Sequence, residues 1–261
     1  MSGPQTNFSR YVALGDSQTE GVGDGDDATG LRGWADRFAE RVARQNPGLQ
    51  YANLAVRGRL AGQVRAEQLA PALALKPDLA SVVAGVNDLL RPRFDADEVA
   101  GELEAMFAAL TAEGARVITL TFPDVTRIMP LARPLGGRIT LLNARIREAA
   151  GRHGVTVAEM NHHAVATDPR LWSEDRLHAS PLGHARIAAA MAYALGVPGS
   201  DDSWARPVMP PHRPVPGLRG GLVELRWAGS FLGPWLVRRL RGRSSGDGRS
   251  AKRPELALVQ V

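Results

Sequence analysis

The sequence predicts an α/β fold in which helices cover both faces of a mainly parallel β-sheet. Over the first 200 residues, short apolar runs typical of buried strands alternate about five times with longer segments of helical spacing. The 261 residues are 44% hydrophobic and 23% charged, which is enough apolar material for a large core. There is no cysteine, so disulfides, thiolate metal sites and a cysteine nucleophile are excluded.

The predicted strands and helices are each justified by local pattern. Apolar runs with β-branched residues indicate the strands, and apolar positions three or four apart indicate the helices. Asp95 is a candidate N-cap of the second helix. The predicted strands cover residues 11–14, 49–56, 79–84, 116–122 and 155–158, and the predicted helices cover residues 34–44, 95–111, 135–153 and 181–195.

The composition changes after residue 199. Residues 200–217 contain five prolines, which predicts a linker or a segment that follows the surface. Residues 218–240 fit an amphipathic helix, and the residues after it are basic and rich in Gly and Ser. We therefore predict a folded domain over 1–199, a Pro-rich linker over 200–217, and an amphipathic helix followed by a basic, mobile tail over 218–261.

The net charge of +5 comes from the C-terminal end of the chain. Residues 1–200 carry 21 Lys and Arg against 22 Asp and Glu, whereas residues 201–261 carry 11 against 5. The first nine residues are polar and do not resemble a signal peptide, and no run of about 18 apolar residues occurs. These features predict a cytoplasmic protein.

A serine follows the first predicted strand within residues 15–21 (GDSQTEG). Ligands of parallel sheets bind beyond the carboxyl ends of the strands, so Ser17 is a candidate nucleophile. If a helix or turn begins there, its backbone N–H also points into the site and can stabilise an oxyanion. A tight turn with Ser17 as a helix cap is the alternative.

Two further segments follow predicted strands in the same way. Gly58 follows the second strand and lets backbone approach a ligand closely, so that its N–H can donate. Asn87 lies in residues 85–88 (GVND) after the third strand and offers a side-chain amide donor. Taken alone, each segment is more simply a strand end or a turn.

A histidine precedes the last predicted helix within residues 175–178 (DRLH). His178 can accept the proton of Ser17 and return it to a leaving group. Asp175, three residues earlier, can bind the other ring nitrogen and fix the tautomer. Because nucleophile, oxyanion donors, base and orienting carboxylate occur together, each after a strand or before the final helix, the set predicts an acyl-transfer site.

These four segments resemble the four sequence blocks of the SGNH/GDSL hydrolases. The resemblance covers roughly residues 8–197, and the whole chain with its basic end resembles the GDSL-like lipase/acylhydrolase proteins of actinobacteria. It implies a flavodoxin-like three-layer α/β/α sandwich with a five-stranded sheet of order 2-1-3-4-5. It also implies Ser17, Asp175 and His178 as the catalytic triad, and the N–H groups of Ser17 and Gly58 with the Asn87 side chain as the oxyanion hole.

The sequence departs from the best-known members of that family beside Gly58. Arg57 and Arg59 put two cations where small residues are more usual. They either attract an anionic substrate or form ion pairs with Glu67 or Asp88, and we favour the ion pairs. The GxSxG elbow of α/β-hydrolases is absent, which argues against that other esterase fold.

Other candidate residues are weaker. His184 lies six residues after His178 and is an alternative base, but it has no carboxylate three residues before it. His162 and His163 lie near Asp168, yet their spacing matches no metal motif, so neither a metal nor another cofactor is expected.

The expected activity is hydrolysis of short-to-medium acyl esters of small molecules by a serine nucleophile. A carbohydrate O-deacetylase is the alternative enzyme, and a membrane-associated interaction protein with a non-functional hydrolase domain is the alternative outside enzymes. The tail either packs on the main domain or contacts anionic membranes weakly, since Trp227, Phe231 and Trp235 precede an arginine cluster. No nucleic-acid partner is expected, because the sequence contains no motif typical of nucleic-acid recognition.

Overall fold

A computed structural model describes residues 7–124, 126, 128–212, 226–232 and 244–261. Its central feature is a six-stranded sheet of spatial order β5-β4-β3-β1-β2-β6. The first five strands along the chain are parallel, and β6 runs antiparallel to β2. The strands are β1 (Arg10–Gly15), β2 (Gln50–Asn53), β3 (Leu79–Val83), β4 (Arg116–Leu120), β5 (Thr156–Ala158) and β6 (Arg253–Leu258).

Helices form the two outer layers. Helix α2 packs against α7, while α3, α5 and α6 form a second row in which α5 lies between the other two. None of the described helices is long and apolar enough to cross a membrane. The α-helices are α1 (Ser17–Glu20), α2 (Gly33–Ala43), α3 (Ala61–Ala74), α4 (Val86–Leu89), α5 (Ala96–Ala112), α6 (Gly136–Arg152) and α7 (Pro181–Leu195).

Shorter elements connect these layers. A small hairpin pairs Gly25–Asp26 with Gly30–Leu31. Single 3₁₀ segments cover Pro130–Leu135, Ala164–Thr167, Pro169–Leu171 and Asp202–Ala205, and a π-helical turn covers Ala228–Leu232.

The core lies between the sheet and both helical layers. Every residue of β3 is buried, as expected for a parallel strand covered on both faces. Tyr11 of β1 stacks on Tyr51 of β2 at 5.0 Å between ring centroids and meets Phe38 of α2 edge to face at 5.2 Å. Asp95 caps α5 by accepting hydrogen bonds from two backbone amides, as its sequence position predicts.

The sixth strand corrects the expected strand count. The sheet has six strands rather than five, and the added strand, Arg253–Leu258, lies within the residues predicted to form the basic tail. Strand β2 would otherwise end the sheet with an unpaired edge, and Gln50 and Tyr51 instead pair with Leu258 and Ala257. The predicted amphipathic helix falls largely outside the described residues, as does Trp235.

Helix α3 is an element that the sequence pattern did not reveal. Its buried positions include Val64, Gln68 and Ala72. Because Gln68 is polar and Ala72 is small, the buried face of the helix lacks the large apolar residues that make a helix recognisable in sequence. Pro71 lies inside the helix and also weakens the helical signal. The buried Gln68 has a positional role, because its side chain bonds both the N–H and the carbonyl of Gly15 at 2.8 and 2.9 Å.

Candidate active site

All five residues predicted for the site line one cavity of about 430 Å³ at the carboxyl edge of the sheet. Ser17 follows β1 and Asn87 follows β3, so the parallel strands deliver them to the same edge. Gly58 follows β2, while Asp175 and His178 come from the loop before α7. The structure therefore brings together residues that are up to 161 positions apart in sequence.

Ser17 is the first residue of α1 and is 8% exposed. The Asp16 side chain caps this helix by accepting a hydrogen bond from Gln18 N at 3.2 Å. The turn is tight, because a Cβ at Gly15 would lie 2.5 Å from the Val83 carbonyl oxygen. Glycine at position 15 thus lets β1 turn directly into the helix that carries Ser17.

His178 and Asp175 form a close pair. Nδ1 of His178 lies 2.6 Å from Oδ2 of Asp175, which leaves Nε2 as the second ring nitrogen. Oδ1 of Asp175 accepts hydrogen bonds from the backbone N–H of Leu177 and His178 and from the Ser173 hydroxyl. Burial raises the pKa of Asp175, but the hydrogen bonds and charge of His178 outweigh it and hold that pKa well below its usual range.

Asn87 lies in α4, one turn that begins after Gly85. Gly85 has φ +119°, a conformation that glycine adopts readily. The Asn87 amide nitrogen donates to Oδ2 of Asp16 at 3.2 Å and to the Arg59 carbonyl at 3.1 Å. These contacts fix the amide beside the loop that contains Gly58.

Ion pairs hold the loop between β2 and α3 that contains Gly58, called here the Gly58 loop. Glu20, 5% exposed, accepts a hydrogen bond from the Arg57 backbone N–H at 2.6 Å and pairs with its guanidinium at 2.7 Å. Arg57 also pairs with Asp27 at 2.8 Å, and Arg59 pairs with Glu67 at 2.7 Å. Both arginines therefore form ion pairs, as expected. Glu67, the partner of Arg59, was among the predicted carboxylates, whereas Glu20 and Asp27, the partners of Arg57, were not.

Asp16 is a second buried carboxyl of the site, and sequence reasoning assigned it no role. Burial raises the pKa of Asp16 to about 7, although hydrogen bonds from Gln18 and Asn87 and the charge of His178 act in the opposite direction. It links the cap of α1 to the Asn87 side chain. Asp16 lies beside Ser17 in the segment at residues 15–21, but only the tertiary contact with Asn87 reveals what its carboxyl group binds.

Gln18 connects α1 to the loop that carries Asp175 and His178, called here the histidine loop. Its side-chain nitrogen donates to the Leu177 carbonyl at 2.7 Å, and its side-chain oxygen accepts from the Ala179 N–H at 3.3 Å. Gln18, Gln68 and Glu20 are positioning residues that sequence reasoning missed, since nothing local distinguishes them from other polar side chains.

His184, the alternative base, is fully buried away from solvent. Its Nδ1 accepts from Trp34 N and its Nε2 contacts the Val22 carbonyl, both at 3.1 Å. Burial lowers its pKa to about 4. Both ring nitrogens are thus engaged in backbone contacts, which leaves His178 as the base candidate.

The other histidine pair lies elsewhere. His163 packs edge to face on Trp204 at 4.4 Å between centroids, and His162 lies 3.1 Å from a guanidinium nitrogen of Arg147. Within the described residues, no group of three or more His, Asp or Glu side chains is placed to hold a metal ion.

Apart from Arg57 and Ser245, the other side chains that line the cavity are apolar. An enclosed apolar pocket of about 80 Å³ lies behind it. The two spaces share the side chains Leu90, Met129, Leu135 and Leu177. A polar edge with a serine, a histidine–aspartate pair and an asparagine amide, facing an apolar wall, suits a substrate with one polar reacting group and an apolar part.

A serine, a paired histidine and a side-chain amide donor at one sheet edge are the parts of a serine-dependent acyl-transfer site. The sequence matches the model of the GDSL-like lipase/acylhydrolase family over residues 13–186. The chain therefore belongs to this family. Among proteins with curated descriptions, none matches the sequence.

Solved structures of esterases and lipases share the fold. A lipase/acylhydrolase from Enterococcus faecalis is 23% identical, with a TM-score of 0.57 over 72% of this chain and 96% of its own. A variant of an acetyl xylan esterase from Geobacillus stearothermophilus is 18% identical, with a TM-score of 0.62 over 74% and 98%. An alpha/beta hydrolase from the Lake Arreo metagenome is 22% identical, with a TM-score of 0.60 over 72% and 95%.

The buried carboxyl of Asp16 predicts a pH effect on stability. Its pKa is about 7 in the folded chain against an ordinary 3.8, so ionisation is penalised by folding and stability falls as pH rises from about 4 through 7. Asp16→Asn removes this titration, although it weakens the contact with Asn87 at every pH. We expect the free energy of unfolding of the variant, relative to wild type, to improve by a few kcal/mol between pH 4.5 and 8 in urea titrations.

Asp26→Asn is the matched control for this measurement. Asp26 is exposed, and hydrogen bonds from Thr29 lower its pKa, so it stays ionised above pH 4.5. Its variant should differ from wild type by the same amount at pH 4.5 and 8. A pH-independent difference for Asp16→Asn as well would show that Asp16 does not titrate in this range.

Proposed function

We propose that the chain hydrolyses carboxylic esters of short to medium acyl length through an acyl-enzyme on Ser17. The observation that carries this proposal is the 2.6 Å pairing of His178 with Asp175 in the cavity that Ser17 also lines. Family membership supports the ester-hydrolase class, and the residue roles rest on the geometry of this chain.

In the proposed reaction, Oγ of Ser17 attacks the ester carbonyl carbon while its proton passes to Nε2 of His178. Asp175 stabilises the resulting imidazolium through Nδ1. The carbon–oxygen bond to the alcohol then breaks, and His178 returns the proton to the alcohol oxygen. Water attacks the acyl-enzyme with His178 again as base, which releases the carboxylic acid and regenerates the Ser17 hydroxyl.

The proposed oxyanion hole consists of the backbone N–H groups of Ser17 and Gly58 and the side-chain amide of Asn87. Ser17 begins α1, where the first amides of a helix lack acceptors within it. The Asn87 amide nitrogen carries two protons, and in this structure it donates to Asp16 and to the Arg59 carbonyl. In the proposed reaction, donation to the oxyanion replaces one of these two hydrogen bonds, while the other keeps the amide in place.

A carbohydrate O-deacetylase is the second candidate. It is favoured by the likeness to acetyl xylan esterases, one of them from Geobacillus stearothermophilus. The apolar wall of the cavity and the enclosed pocket behind it favour an acyl chain longer than acetyl instead. We therefore keep the acyl esterase as the main proposal.

The prediction of weak contact with anionic membranes stays a prediction. Four of the arginines that follow Trp235, at positions 238, 239, 241 and 243, lie outside the described residues. Trp227, one of the aromatic residues assigned to that contact, is 6% exposed and packs against Met129 and Ala132.

Ser17→Ala should abolish ester hydrolysis, because no other group in the proposed mechanism attacks the carbonyl. Hydrolysis of p-nitrophenyl acetate and butyrate should fall by about 10³-fold or more. Ser250→Ala, at an exposed site, is the control and should match wild type. Equal activity of wild type and Ser17→Ala would remove Ser17 as the nucleophile.

Asn87→Ala should lower kcat by about 10²–10³-fold with little change in KM, because an oxyanion donor acts mainly in the transition state. Asn161→Ala is the control, since Asn161 lies outside the catalytic cavity. Steady-state kinetics on p-nitrophenyl butyrate make the comparison. An unchanged kcat for Asn87→Ala would exclude its side chain from the oxyanion hole.

A comparison of kcat/KM across substrates distinguishes an acyl esterase from a carbohydrate O-deacetylase. We expect kcat/KM to rise from p-nitrophenyl acetate to hexanoate by about tenfold or more, as added methylenes enter the apolar part of the cavity. Acetylated xylo-oligosaccharides, assayed for released acetate, should be poorer substrates than hexanoate. The opposite order would favour the O-deacetylase.

A further inference from the structure

The C-terminal appendage, meaning residues 226–232 and 244–261, lies beyond the part of the chain that matches the family. The family model ends at residue 186. The solved structures described above are covered over 95–98% of their own length but match only 72–74% of this chain. The appendage is therefore a feature of this chain that family membership does not explain.

The end of the appendage is fixed to the sheet. Strand β6 pairs with β2, and Val259 N donates to the Leu49 carbonyl at 3.0 Å. Just before β6, Lys252 pairs with the half-buried Asp36 of α2 at 2.6 Å and donates to the carbonyl of Leu31. These contacts hold the segment that leads toward the active site.

That segment lies directly on the Gly58 loop. Gly246 packs so closely that a Cβ there would lie 2.0 Å from the Arg57 carbonyl oxygen. Ser244 Oγ lies 3.5 Å from the Gly58 carbonyl oxygen, and Ser245 lines the catalytic cavity. Arg249 pairs at 2.6 Å with Asp27, the carboxylate that also binds Arg57.

The other part of the appendage contacts the histidine loop. The Arg176 guanidinium, between Asp175 and His178 in sequence, lies 4.8 Å from the centre of the Trp227 ring. Trp227 packs with Met129 and Ala132, and Phe231 packs against the same cluster. Trp227 and Phe231 both line the catalytic cavity.

We propose that the C-terminal appendage forms part of the substrate site, and that Phe231, supported by Trp227, selects esters with apolar acyl chains longer than acetyl. This inference rests on the proposed function, because the selected chain is that of the acyl-enzyme on Ser17. Phe231 and Trp227 line the same cavity as Ser17 and His178, together with the apolar side chains of Met129 and Leu135.

The contacts favour an acyl chain over a sugar ring as the group that meets this wall. Sugars stack on an open aromatic face, whereas Trp227 is 6% exposed and carries Arg176 against its ring. Met129 and Leu135 also border the enclosed apolar pocket, so the wall continues into space that an alkyl chain can fill.

The test measures acyl-length selectivity of the full-length chain with Phe231→Ala. The quantity is the ratio of kcat/KM for p-nitrophenyl octanoate to that for p-nitrophenyl acetate. We expect this ratio to fall about tenfold, because the octanoyl chain loses apolar contact that acetyl does not make. Phe231→Leu keeps an apolar side chain and should retain most of the ratio. Tyr193→Ala, on the exposed face of α7, is the control and should match wild type.

The outcomes separate this inference from the proposed function. An unchanged ratio in Phe231→Ala, with hydrolysis still lost in Ser17→Ala, would overturn the inference and leave the proposed function intact. If Phe231→Ala lowers kcat/KM for acetylated xylo-oligosaccharides but not for p-nitrophenyl octanoate, the apolar wall contacts a sugar. That result would also overturn the inference. Wild-type hydrolysis that does not depend on Ser17 would overturn both.

Discussion

The junction between β1 and α1 is the constraint on which the site depends. A parallel sheet places the end of β1 beside the end of β3, and Gly15 lets the backbone turn there within contact of the Val83 carbonyl. Gln68 satisfies both backbone groups of Gly15, so this buried turn leaves neither group without a partner. Ser17 is therefore presented by backbone geometry rather than by a flexible loop.

Polar contacts around this junction fix the other candidate site residues relative to Ser17. Asp16 reaches Asn87, Glu20 reaches the backbone of Arg57, and Gln18 reaches the loop of His178. Each contact comes from a residue adjacent to Ser17 or within the four-residue helix that it begins. A single turn of helix thereby links the proposed oxyanion donors to the proposed base, and such links are the kind of preorganisation that acyl transfer requires.

The appendage adds a second layer of support from outside the family domain. Its strand completes the open edge of β2, and this attachment places Gly246 on the Arg57 carbonyl. Trp227 rests on Arg176, a residue with φ +56° in the left-handed region that non-glycine residues seldom occupy. The same chain segments that contact the loop of Gly58 and the loop of His178 also line the cavity between them.

The sequence by itself determined the fold class, the candidate nucleophile and the histidine–aspartate pair. Apolar runs specify buried parallel strands locally, and Asp175 and His178 are three residues apart, so their contact needs only a short loop. Helix α3, the sixth strand and the partners of Arg57 were decided by the tertiary structure. Gln68 and Gly15 are 53 positions apart, and β6 pairs with a strand about 200 residues earlier. Such contacts depend on which strands become neighbours in the sheet, and local patterns of apolar and polar residues do not contain that information.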